Sequence, residues 1–243
     1  MLLEYGLPSP WATAELKGRG DYVTASDRRS EAAILEVLAR ESPGVAVLAE
    51  EGGGVRASTM WAVDPLDGTT NFTRSFPAVG ISVALLEKGF PVVGVVLAPF
   101  LHHEFSAVRG KGAFQNGERL PPHRTVERTS AVVATGFPFR NKMMLPRYFE
   151  MMRGALERFE DLRRAGAAAL DLAWTASSTF DGFFELGLNT WDVAAGALLV
   201  QEVGGRVTDW SGGDTWIETG NILAAAPAVH EALLELAAEA PEG

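Results

Sequence analysis

A chain of 243 residues, 47% of them hydrophobic and 21% charged, is long enough for one large or two modest domains with a well-buried core, and the balance is that of an ordinary globular protein. The formal net charge of -10 excludes a basic nucleic-acid groove, and any phosphorylated ligand must be met locally, by metal and backbone donors, against a repelling net field. No cysteine is present, which removes thiol nucleophiles, disulfides and zinc-thiolate sites, and no leader pattern or membrane-length apolar run is seen, so a cytoplasmic protein without membrane contact is expected.

The first sixteen residues give only a weak helical signal, and Lys17-Gly-Arg-Gly-Asp21 reads as a polar, flexible loop. Asp27 or Ser26 is suited to cap a helix from Arg28 to about Arg40, with Ile34, Leu35 and Leu38 as its apolar stripe. Val45 to Ala49 is a short apolar strand ending in Glu50-Glu51, followed by three glycines; acids at a strand end also suit a solvated loop.

Met60 to Val63 is a second apolar strand, which stops at Asp64-Pro65. Pro65 restricts the backbone, Gly68 permits positive φ, and Thr69-Thr70-Asn71 offers oxygens for a helix start, so the chain turns sharply here. The N–H groups of Gly68 and Thr69 would then suit an anion such as phosphate. Asp64 and Asp67 cannot both stay ionised in a sheltered crevice unless something cancels their repulsion, and a hard divalent cation is the usual solution. Asp-Pro-x-Asp-Gly alone is also an ordinary solvated turn.

Val79 to Leu86 and Pro91 to Leu97 read as a hairpin, continued by Phe105 to Arg109, Ala113-Phe114 and the Asn116-Gly117 turn as an antiparallel meander. His102 and His103 are adjacent, which in a strand sends them to opposite faces. Pro121-Pro122-His123-Arg124 marks a seam. It divides an α+β half, residues 1–123, carrying Glu50, Asp64 and Asp67, from an α/β half, residues 124–243, carrying Glu185 and Asp192. Beyond the seam the pattern alternates: strand Ala131 to Thr135, helix Met143 to Phe159, helix Gly166 to Ser177, strand Gly182 to Leu186, helix Trp191 to Val203, strand Ile222 to Ala226, helix Pro227 to Glu239. Asp192 falls in the first turn of its helix, where the dipole alone explains an acid.

Trp61 to Phe72, Trp-Ala-Val-Asp-Pro-Leu-Asp-Gly-Thr-Thr-Asn-Phe, resembles the signature of the inositol monophosphatase family of magnesium-dependent, lithium-sensitive phosphomonoesterases. Glu185-x-Gly-x-x-x-Trp-Asp192-x-Ala-Ala-Gly resembles the second signature of that family, and Arg163-Arg-Ala-Gly-Ala-Ala168 a third, weaker one in which Ala167 stands where Thr is often found. Ala49 likewise replaces a Gly that usually precedes Glu50. The similarity runs from about Lys17 to the C-terminus.

The resemblance implies an α/β protein, a layered αβαβα sandwich with the site between its halves, and commonly a homodimer. It implies two or three Mg²⁺ ions held by Glu50, Asp64, the Leu66 carbonyl, Asp67 and Asp192, with Asp64 bridging two metals about 3.5 to 4 Å apart. Thr69, paired with Asp27, and Glu50 would align a metal-activated water for in-line attack. Gly68 and Thr69 would hold the phosphate, Gly166, Ala167, Ala168 and Glu185 the alcohol, and Lys17 would lie on a loop near the site. Myo-inositol monophosphate is the first substrate expected; fructose 1,6-bisphosphate, histidinol phosphate, a 3′-phosphonucleotide and NADP are alternatives handled by similar proteins. A regulatory binding module on the same fold is the reading from another class, against which the full set of mutually repelling acids speaks.

Overall fold

The computed structural model of the protein describes residues 15–18, 21–23, 25–139 and 141–240, the first two stretches by backbone alone. Lys17 falls in strand β1 (Glu15–Gly18), which pairs antiparallel with β2 (Asp21–Val23) where a loop was expected; its side chain lies outside the described residues. Helix α1 (Ala25–Glu41) follows.

Strands β3 (Ala46–Ala49), β4 (Gly53–Gly54), β5 (Thr59–Asp67), β6 (Gly80–Glu87), β7 (Phe90–Ala98), β8 (His103–Val108), β9 (Gly112–Gln115) and β10 (Glu118–Arg119) form an eight-stranded sheet in the order β10-β9-β8-β7-β6-β5-β3-β4. The meander from β5 to β10 is antiparallel, as the alternating pattern and tight turns predict, and β3 adds parallel to β5. A short helix α2 (Thr69–Thr73) sits between β5 and β6. Contrary to expectation, β5 does not stop at Asp64-Pro65 but runs on to Asp67 with its register slipping against β6 between Asp64 and Asp67, because Pro65 has no N–H to give the ladder.

The second sheet holds β11 (Val132–Thr135), β12 (Asp161–Arg163), β13 (Gly182–Glu185), β14 (Arg206–Thr208) and β15 (Ile222–Ala225) in the order β12-β11-β13-β15-β14. Its helices are α3 (Leu145–Arg158), α4 (Ala168–Ala176), α5 (Thr190–Glu202), the short α6 (Trp216–Thr219) and α7 (Pro227–Glu239). Strand β12 and helix α6 were not read from the sequence, being too short for a periodic signal.

The contacts stack five layers. Helix α1 covers the outer face of β5, the eight-stranded sheet follows, α4 and α5 fill the middle against both sheets, the five-stranded sheet comes next, and α3 with α7 closes the far side. The largest apolar cluster runs from the first sheet through α4 and α5 to the inner face of the second; a separate cluster joins the second sheet to α3 and α7. Helix α5 is buried nearly all round from Thr190 to Val200, as a middle layer requires. Among the described residues no helix is long and apolar enough to cross a membrane.

Two glycines let α5 approach so closely. A Cβ added at Gly94 of β7 would lie 2.9 Å from the Ala195 carbonyl oxygen, and Gly196 faces Leu172 of α4 with no room for a side chain. Gly94→Ala therefore forces the helix off the sheet and is expected to cost about 1–3 kcal/mol, read as a melting temperature several degrees lower; an unchanged melting temperature would show that the layers can slide apart freely.

Candidate active site

A cavity of about 400 Å³ opens between the two sheets. Glu50, Asp64, Leu66, Asp67, Gly68 and Thr69 line it from the first half, and Gly166, Ala167, Ala168, Glu185 and Asp192 from the second. Asp27 stands behind this wall, 1% exposed, within reach of Thr69. Lys17 is the one expected site residue whose side chain falls outside the described residues.

The four acids arrive on three pieces of backbone, Asp64 and Asp67 both on β5. Glu50 follows the last residue of β3, and its N–H donates to the Val63 carbonyl, so strands β3 and β5 deliver their acids side by side. Asp64 is 2% exposed and accepts the Leu66 N–H at 2.9 Å. Burial, then repulsion from Glu50, Asp67 and Asp192, holds its carboxyl well above the usual carboxylate range. Asp67 accepts the Ala169 N–H at 2.7 Å, at the N-terminus of α4. Burial and then Asp192 push the Asp67 carboxyl up to about 8, even with the α4 amides pulling the other way. Asp192 occupies the first turn of α5, 6% exposed, and one of its oxygens accepts the Asn189 N–H at 2.7 Å. The capping explanation for Asp192 thus holds, and the same carboxyl also faces the cavity.

The turn at Gly68 has the positive φ that the residues suggest. Gly68 has φ 85°, and a Cβ there would meet the Ala78 carbonyl oxygen at 2.9 Å, so only glycine fits. Thr69 Oγ1 lies 3.2 Å from Asp27 Oδ1 and 3.2 Å from the Leu66 carbonyl oxygen, and its single proton serves one acceptor at a time.

Sequence reading missed four residues. Asp27, Ser30 and Glu31 are the buried positions of α1, a polar stripe at i, i+3, i+4 where an apolar stripe was expected; Ile34, Leu35 and Leu38 are only half-buried. Ser30 Oγ donates to the Pro65 carbonyl at 2.8 Å and Glu31 accepts the Glu51 N–H at 2.9 Å, so one helix face holds both acid-bearing loops. Asn71 Nδ2 donates to the Ala78 and Ala165 carbonyls at 2.7 and 2.9 Å, tying the Gly68 turn to the segment before α4. Asp171, 1% exposed, has its carboxyl held high by burial and then by Glu185 and Asp67. Helical spacing was the available signal for Ser30 and Glu31; for Asp171 it was an acid inside the apolar run Ala168 to Ala173.

Among the described residues no three His, Asp or Glu side chains stand close enough to enclose an ion unaided. The donor set nevertheless suits a hard divalent cation: four carboxylates face one cavity, three of them raising the charging cost of Asp64, and they carry oxygen ligands and excess negative charge that such an ion would cancel.

The sequence matches the profile of the "Inositol monophosphatase family" over residues 5–242. It is 42% identical over 222 residues to "Nus factor SuhB" of Pasteurella multocida (strain Pm70), an alignment covering 90% of this chain and 83% of that protein. The crystal structure of extragenic suppressor protein suhB from Bartonella henselae superposes with a TM-score of 0.88 at 37% identity, covering 93% of this chain and 88% of the other. The structure of inositol monophosphatase from Anabaena (Nostoc) sp. PCC 7120 superposes with a TM-score of 0.85 at 37% identity, covering 90% of this chain and 88% of the other. The fold agrees with this match, and the chain belongs to the inositol monophosphatase family.

Proposed function

We propose that the protein hydrolyses a phosphomonoester of a small polyol or sugar, myo-inositol monophosphate first, with Mg²⁺ held by Glu50, Asp64, the Leu66 carbonyl, Asp67 and Asp192. The observation that carries this reading is the meeting of four acids and an anion-binding glycine turn on one cavity wall. Bound there, the metal would supply Lewis-acid polarisation of the phosphate and of the leaving oxygen.

The chain's own residues do the rest. Asp27 takes the Thr69 hydroxyl proton's hydrogen bond and so turns the Thr69 lone pairs toward the attacking water, which the Glu50 carboxylate helps orient. The Gly68 and Thr69 N–H groups hold phosphate oxygens. Glu185 and the Gly166 to Ala168 segment fit the alcohol, with Ala167 offering no hydroxyl to a sugar. The cavity volume suits a ligand of this size. The reading extends to a homodimer acting in the cytoplasm.

The name Nus factor carried by the Pasteurella relative supports a second reading, a non-catalytic regulatory role on this fold. Acids that repel one another have no evident use in a pure binder.

Phosphate release from myo-inositol 1-phosphate should require Mg²⁺ and fall on adding Li⁺; Asp64→Asn should abolish it, and Thr69→Val should lower kcat about 100-fold. Full activity of Thr69→Val with a correct circular dichroism spectrum would remove Thr69 from the mechanism, and no release from any sugar phosphate would leave the regulatory reading.

Stability reports on the same acids. Because the Asp67 carboxyl is raised to about 8, the folded state binds more protons than the unfolded chain between about pH 4 and 8, so metal-free stability falls as pH rises through that window. In EDTA, Asp67→Asn should melt several degrees above the parent at pH 8, whereas added Mg²⁺ should raise the melting temperature of the parent alone. Equal responses to Mg²⁺ in thermal denaturation would dissociate Asp67 from the metal.

A further inference from the structure

Glu50 stands at the edge of its sheet. Strands β3 and β4 pair with Ala49 opposite Gly53, so Glu50, Glu51 and Gly52 form the turn of a short hairpin. Strand β4 is two exposed glycines, the outermost strand of the eight, with no side chain to pack. Val63 and Glu31 hold the turn on the sides of β5 and α1, through the Glu50 and Glu51 N–H groups. Across the cavity Glu50 and Asp192 both act on Asp64 and Asp67. Like charges therefore push this hairpin outward, and an exposed edge with few packed side chains yields easily.

Arg56 answers that push from the second half of the chain. It follows β4 by two residues, and its Nη2 donates to Thr190 Oγ1 at 2.7 Å. Thr190 is the first residue of α5 and 1% exposed, and its own hydroxyl donates to the Ile217 carbonyl at 3.0 Å, so the acceptor is fixed in the core. Asp192 stands in the same first turn, its carboxyl held by the Asn189 N–H. One hydrogen bond thus joins the hairpin bearing Glu50 to the helix start bearing Asp192. Neither Arg56 nor Thr190 lines the cavity. Among the described residues Arg56 makes no ion pair and no other side-chain hydrogen bond. An exposed guanidinium spends an N–H on a neutral hydroxyl at a helix N-terminus, where the dipole disfavours a cation. Charge pairing does not account for that placement; a tether between the halves does.

We propose that Arg56 is a positioning residue, which latches the Glu50 hairpin to the start of α5 and so sets the spacing of Glu50 and Asp192 for a divalent cation. The inference deepens the proposed function and rests on its metal reading. The competing explanation is a bond that only adds stability to an exposed loop. The far end of α5 supplies the control, because the carboxylate of Glu202, its last residue, accepts the Gly110 and Gly112 N–H groups at 2.7 Å each and also joins the halves.

Mg²⁺ is titrated calorimetrically into the full chain without substrate. Arg56→Met is expected to weaken Mg²⁺ binding about tenfold, the usual effect of losing a group that orients a metal ligand. Arg56→Lys should restore part of it, and Glu202→Ala should lower the melting temperature while leaving Mg²⁺ affinity at the parent value. With myo-inositol 1-phosphate, the Mg²⁺ concentration for half-maximal rate should rise in step in Arg56→Met, and kcat at saturating Mg²⁺ should not change. Thr190→Val should reproduce the loss, and adding Arg56→Met to it should weaken binding no further, since both remove one bond. Additive losses overturn the latch. So does Mg²⁺ affinity unchanged in Arg56→Met, or an equal loss in Glu202→Ala, which would make the effect a general loosening of α5. Arg56 is exposed, so its variants test the latch even where Thr190→Val fails to fold. Mg²⁺ binding that depends on Arg56 in a protein that hydrolyses no sugar phosphate supports the latch and counts against the proposed function alone, whereas a parent that binds no Mg²⁺ overturns both.

Discussion

Like charges held together in a sheltered place are the constraint to which the rest of the structure answers. Burial and then repulsion from Glu50, Asp67 and Asp192 raise the cost of ionising Asp64, and burial and then Asp192 and Glu50 raise that of Asp67. Left to themselves the loops that bear them would splay. Backbone donors oppose this at three points, from Leu66 to Asp64, from Ala169 to Asp67 and from Asn189 to Asp192. Helix α1 adds the outer clasp through Ser30 and Glu31, which grip the Pro65 carbonyl and the Glu51 amide.

The layered core makes that arrangement affordable by fixing where α4 and α5 begin. Both helices start at the cavity, so the positive ends of their dipoles face the acids and any bound anion. Their depth in the sandwich is set by small residues: Gly94 admits Ala195, Gly196 admits Leu172, and Ser82 of β6 donates to the Trp191 carbonyl at 2.8 Å. Packing in the middle layer thus sets the position of Asp192 relative to Asp64, although the two belong to different halves of the chain.

Around the four acids the cavity has a rim of different character. The lining there includes the apolar Ala167 and Ala168, the Glu185 carboxyl and the aromatic-backed Arg164. Asp171, buried behind Glu185 and Asp67 in an otherwise apolar helix, ties the electrostatics of that rim to the centre.

Much of this was legible in the chain itself. Apolar alternation and tight turns marked the hairpins of the first sheet to within a residue or two, because a half-buried antiparallel strand must alternate. Asp64-Pro-Leu-Asp-Gly68 displayed both a turn and a concentration of charge in one short span, and the two family-like signatures contain Asp64, Asp67, Glu185 and Asp192. The clasp of α1 was not read, because its buried face is polar and burial is usually inferred from apolar spacing. The continuation of β5 through Pro65, the hairpin around Lys17 and the short β12 depended on partners far away in sequence. What the sequence by itself determined was the inventory: which strands and helices form, and which acids and glycines stand at their ends. Only the tertiary structure decided that Glu50, Asp64, Asp67 and Asp192 share one cavity and that Arg164 lies on its wall, since those distances are set by how two sheets pack across α4 and α5, and no local propensity encodes the distance between residues a hundred positions apart.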